Sequence, residues 1–116
     1  MQFVAVAVLL LAGTYSLPDA GGIPAPDAAQ QARIASALRI LETRDWETGE
    51  NAVRELALVG EVALPSIAAR LNEAEAGERL MLLAAVRRMA RGRPLLDQAR
   101  RDPHPAVACR SLSSGP

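Results

Sequence analysis

Any chemistry in this chain would rest on few groups: one histidine, one cysteine, a cluster of carboxylates and a cluster of arginines. His104 is the only imidazole and stands between Pro103 and Pro105. A catalytic histidine needs a nucleophile to activate and an acid to orient it. The sequence marks neither, so His104 reads as a solvated turn residue or weak helix cap. Cys109 is the only thiol, which excludes an internal disulfide and a cysteine-rich zinc site. Next to Val107 on a helical stretch, it reads as a small buried apolar side chain, with an intermolecular disulfide as the alternative. Neither a phosphate-binding glycine loop nor a Gly-x-Ser-x-Gly elbow occurs. No catalytic residue, metal ligand or cofactor is nominated, and an enzyme is not expected.

Arg87, Arg88, Arg91 and Arg93 form the one cluster suited to recognition. Guanidinium groups pair bidentately with carboxylates or phosphates, so the cluster is the candidate partner-binding patch. On a helix running to residue 91, Arg87 and Arg91 would share a face. Three plainer uses compete: complementing a helix C-terminus, pairing with acidic residues of the same chain, and codon bias. Charge is divided along the sequence: residues 1 to 86 hold 6 Arg against 11 Asp and Glu, residues 87 to 116 hold 7 Arg against 2 Asp. The halves therefore carry −5 and +5, and an acidic protein surface suits the second. Nucleic acid is not expected as a partner, because the chain has no Lys, no aromatic interleaving and no net charge. Glu73, Glu75 and Glu78 suit the N-terminal turn of a helix and need no further role.

The elements that would position these groups are helices. Half of the 116 residues are apolar, but only Phe3, Tyr15 and Trp46 are aromatic, and Ala occurs 23 times. Ala and Leu are the strongest helix formers, and no alternating β-branched run follows residue 9, so the chain reads as all-α. Asp27 caps a first helix whose stripe is Ile34, Leu38 and Leu41, widened by Ala35 and Ala37. Asp45 caps a second, residues 46 to 59, with Val53, Leu56 and Ala57 inward. Gly60 takes the left-handed position at its end, and Pro65 starts a third helix with Ile67, Ala68 and Leu71 buried. A fourth, residues 78 to 91, contains seven consecutive apolar residues, as expected of an inner helix covered on two faces. Pro94 starts a short fifth helix, and Val107 and Leu112 belong to a final one. Trp46 reads as a cover over the first helix rather than an anchor for a partner.

Residues 3 to 13 are an uncharged apolar run of 11, too short for a span of about 20 residues. The run has the length of a signal-peptide core, with Thr14 and Ser16 as the small residues before a cleavage site and Ala20 as a second option. The expected organisation is a signal segment at 1–16, a flexible Pro/Gly-rich linker at 17–26 and a helical domain at 27–116. Tyr15 falls outside that domain.

A-V-R-E-L-A-L-V-G-E-V-A-L-P at 52 to 65 and D-P-H-P-A-V at 102 to 107 resemble HEAT-like repeats of the short bacterial, phycobilisome-lyase type. The matching positions are Val53, Arg54, Leu56, Gly60, Ala63, Leu64 and Pro65 in the first motif. In the second they are Asp102, Pro103, Pro105 and Val107. The resemblance covers residues 45 to 112 and implies a short α–α superhelix, a solenoid fragment of five to six helices, used for protein contacts. It implies no shared activity. The expected function is non-catalytic protein–protein interaction in a bacterial cell envelope, by an exported periplasmic or secreted chain without a stable membrane span. Two alternatives stay open: an accessory or lyase-like subunit of an enzyme system, and a truncated repeat protein without independent function. Val107 and Leu112 lack an obvious covering helix, which makes the C-terminal end a candidate homodimer contact.

Overall fold

Two aspartates start the helical region. Asp27 accepts the N–H of Gln30 at 2.8 Å, while the Gln30 side chain accepts the N–H of Asp27 at 2.9 Å. This reciprocal capping box opens α1, Ala28–Glu42. Asp45 accepts from the Glu47 N–H and the Thr48 hydroxyl and opens α2, Trp46–Val59. The computed structural model describes residues 15 to 18, 20 to 43 and 45 to 113, without the side chains of 20, 46 and 110 to 113. The apolar run of the expected signal segment and the side chains of Trp46 and Leu112 therefore lie outside the described residues.

Gly60 ends α2 at φ 90°, ψ −155°. This is an extended conformation with positive φ, open essentially to glycine alone, rather than the left-handed helical one expected. A 3-10 turn, Glu61–Ala63, leads into α3, Leu64–Leu71, with Pro65 in its first turn. After α4, Ala76–Val86, the same grammar returns: a 3-10 turn at Ala90–Gly92, then α5, Arg93–Ala99, with Pro94 in its first turn. The last helix is α6, Pro105–Ser113. Among the described residues the chain is all-α, with six α-helices and no strand.

The long helices begin at residues 46, 76 and 105 and the short ones at 64 and 93, intervals of 30, 29 and 29. The side chains follow this register: Ala52, Val53 and Leu56 are buried on α2, as are Met81, Leu82 and Ala85, 29 residues on, on α4. The two 3-10 turns lie against each other, and the Glu61 carboxylate accepts the Arg91 N–H at 3.0 Å.

Helix α4 packs against all five others, which accounts for its run of apolar residues. It is shorter at its C-terminal end than expected. The N–H groups of Arg88 and Met89 bond to carbonyls three residues back, tightening the last turn, and the helix stops at Val86. Gly92 then lies on Val86 so closely that a Cβ would stand 2.4 Å from Val86 Cγ1 and 2.8 Å from the Val86 carbonyl. Two smaller readings are corrected. Ala35 is exposed on α1, and Cys109 is an exposed thiol, because Val107 takes the inward position on α6 and residue 109 turns away. Val107 is fully buried, so it leaves no uncovered apolar surface.

The largest departure lies before α1. The stretch expected to be a flexible linker contains a 3-10 turn, Ala20–Gly22, buries Ile23 and follows a buried Tyr15. Three prolines and two glycines prevent an α-helix there, but they do not prevent packing.

Candidate functional site

Asp102 ends the turn after α5, and its side chain is fully buried. Burial alone would raise its pKa, yet the four donors hold the group below its ordinary value. The Tyr15 hydroxyl donates at 2.6 Å and the His104 N–H at 2.8 Å. The Arg79 guanidinium, from α4, donates through Nε at 2.8 Å and Nη2 at 2.9 Å, a fork onto both carboxylate oxygens. Arg79 Nη1 donates to the Ala74 carbonyl at 2.7 Å, which fixes the guanidinium plane. Tyr15 is shifted the opposite way. Burial first, then the hydrogen bond to Asp102 and that group's charge, push its phenol well above the ordinary range, against a smaller opposing effect of Arg79.

Two side-chain carboxamides hold the main chain beside this phenol. Asn72, at the C-terminal end of α3, accepts the Tyr15 N–H at 2.9 Å and donates to the Tyr15 carbonyl at 2.9 Å. Gln98, on α5, accepts the Ser16 N–H and donates to the Ser16 carbonyl, both at 2.8 Å. Each carboxamide thus pairs with both polar groups of one residue, and the chain between them bridges α3 and α5. Arg91 Nη1 adds a bond to the Gly22 carbonyl at 3.1 Å.

The four nominated arginines do not form one surface. All four are exposed. Arg87 and Arg88 sit in the turn that ends α4, at the rim of a cavity of about 120 Å³ between α2 and α4, floored by Val53, Leu80 and Met81. Arg91 lies in the 3-10 turn, holds Gly22 and does not share a helical face with Arg87. Arg93 starts α5. Among the acidic residues, Glu78 is buried and takes a fork from Arg70 at 2.6 and 2.9 Å, tying α4 to α3. This is a packing role that the macrodipole reading missed. His104 is a turn residue whose Nδ1 accepts the Ala106 N–H at 3.2 Å. Among the described residues, no three His, Cys, Asp or Glu side chains converge as a metal site, and no helix is long and apolar enough to cross a membrane.

Neither Tyr15 nor Asp102 stood out as a functional residue in the sequence. They lie 87 residues apart, and no periodicity connects them. The one local hint was an aspartate opening the D-P-H-P turn, where a buried acid would need a donor. Compared with protein-family models, with curated proteins and with solved structures, the chain matches none.

Proposed function

We propose that this chain is a non-catalytic helical-repeat protein of the HEAT-like kind, a short α–α superhelix that mediates protein–protein interaction in a bacterial cell envelope after export. One observation carries the reading: the α3–α5 side already holds polypeptide, at Tyr15, Ser16 and Gly22, mainly through its main chain. Five of the bonds that hold it reach backbone N–H or C=O groups, from Asn72, Gln98 and Arg91. A surface that grips backbone accepts polypeptide with little regard to its side chains, and pockets then add selectivity. The recurring helix–turn–helix order supports the superhelix, since each such unit buries its apolar face against the next. The exposed Arg87, Arg88 and Arg93 add cationic groups suited to an acidic partner.

The test is a pull-down from bacterial envelope extract with the full chain, beside a variant carrying Arg87→Glu, Arg88→Glu and Arg93→Glu and matched in helicity by circular dichroism. The expected result is a protein retained by the wild type and lost by the variant. If neither captures a protein, the interaction reading fails.

A further inference from the structure

We infer that Asn72, Gln98 and the Arg79–Asp102 pair form a binding site for a peptide segment bearing a tyrosine, and that residues 15 and 16 fill it as a tethered, displaceable occupant. The inference rests on the interaction reading above and names its site and ligand class.

The site is pre-formed. Without Tyr15, Asp102 still has both bonds of the Arg79 fork and the His104 N–H, and Arg79 is still held by the Ala74 carbonyl. The acceptor for a phenol is thus held by bonds that do not involve the phenol. Asn72 is oriented in the same way, because its amide also donates to the Ala68 carbonyl of its own helix at 3.3 Å. Pre-organisation of this kind separates a receptor from an ordinary core contact, since the ligand need not order the site.

The occupant has the complementary character. Ser16 and Gly22 are exposed and held through the main chain, and the path to α1 runs through Pro24 and Pro26 without regular structure. Among the described residues of this segment, Tyr15 puts a polar side-chain group into the interior. Selectivity follows from that geometry. A phenylalanine fills the same volume but offers Asp102 no hydrogen, whereas tyrosine adds a bond to a buried carboxylate. Two carboxamides on successive residues need a free N–H at each and so exclude proline at either position. Cleavage after Ser16, one of the two processing points the sequence suggests, would sever the occupant from the domain and leave the site open to such a segment on another chain.

The experiment uses the full chain with Tyr15→Pro and Ser16→Pro, which removes the phenol and both N–H donors. The probe is a fluorescent, end-blocked peptide, Gly-Thr-Tyr-Ser-Leu-Pro, titrated by anisotropy. Saturable binding is expected, weakened at least about 10-fold when Phe replaces Tyr in the probe. It should be weakened again by Asn72→Ala with Gln98→Ala in the host. The wild-type chain should bind the probe far more weakly, because its own segment competes at an effective concentration on the order of millimolar. Equal binding of the Tyr and Phe probes, or no binding to a host of wild-type helicity, overturns the inference.

Should that host not fold, amide hydrogen exchange on the chain carrying Asn72→Ala and Gln98→Ala decides. Loss of protection at residues 15 and 16 with α4 unchanged supports a displaceable occupant; loss across α4 as well overturns it. A failed probe titration beside a successful pull-down removes this site alone, and failure of both removes the interaction reading with it.

Discussion

Replacing Asp102 by Asn keeps the shape of the side chain and removes its charge and one acceptor. The four donors around it make the consequence calculable. With the remaining oxygen towards His104 and Arg79 Nη2, the new NH₂ faces Arg79 Nε and the Tyr15 hydroxyl; flipped, it faces His104 N–H and Nη2. Either way one guanidinium N–H meets another N–H, and the Arg79 charge loses its counter-ion with its side chain only 15% exposed. Breaking one half of a buried pair costs about 3–5 kcal/mol, a large share of the ~5–15 kcal/mol that typically holds a domain together. Urea unfolding followed by circular dichroism reads this directly. With a slope of at most ~3 kcal/mol per molar, the midpoint falls by at least about 1 M. The exposed Asp97 is the control, and Asp97→Asn should stay within ~0.5 kcal/mol of wild type. A loss below about 1 kcal/mol for Asp102→Asn would refute the reasoning, since Asp102 would then have to be solvated and the pocket not dry.

Two further outcomes follow from the same contacts. Tyr15 is the only tyrosine, so near-ultraviolet absorbance titrates it alone; its tyrosinate should form clearly above the ordinary value of about 10. The sign is fixed: the phenol's contribution to stability is complete below that value and is lost as pH rises through the folded-state pKa. Asp102, shifted down, contributes above the ordinary carboxylate value and loses that contribution as pH falls through its folded-state pKa. Titration of Tyr15 near 10 would count against the buried pair. Gly92→Ala should cost about 1–3 kcal/mol by overpacking, because the new methyl meets Val86 carbonyl and side-chain atoms; Gly21→Ala, with nothing within 4 Å, should be neutral in the same thermal or chemical unfolding assay.

Much of the helical region was legible because its signals are local. Asp27, Asp45, Pro65 and Pro94 act within one turn of where they stand, and each marks a helix start or first turn in the folded chain. Most inward positions of α1 to α3 followed from 3.6-residue spacing, although Ala35 is exposed and Leu38 and Ala57 are only partly buried. Where the reading slipped, a neighbour decided. Residues 87 to 91 have ordinary helical composition, but α4 stops at Val86, Gly92 lies on Val86 and the second 3-10 turn lies against the first. Cys109 looked apolar enough to bury, yet Val107 already takes the inward position on α6.

By itself the sequence determined an all-α chain, its caps, its breaks and the inner position of α4, because propensity, capping and periodicity are properties of short windows. Only the tertiary structure decided that Tyr15, Ser16, Gly22 and Ile23 pack onto the domain, that Glu78 and Asp102 are buried and paired with arginines, and that the nominated arginines lie on different elements. Those outcomes depend on groups from 8 to 87 residues apart meeting at hydrogen-bond distance. The sequence states the charge and size of each group; which of them share a dry space is set by the packing of α3, α4 and α5.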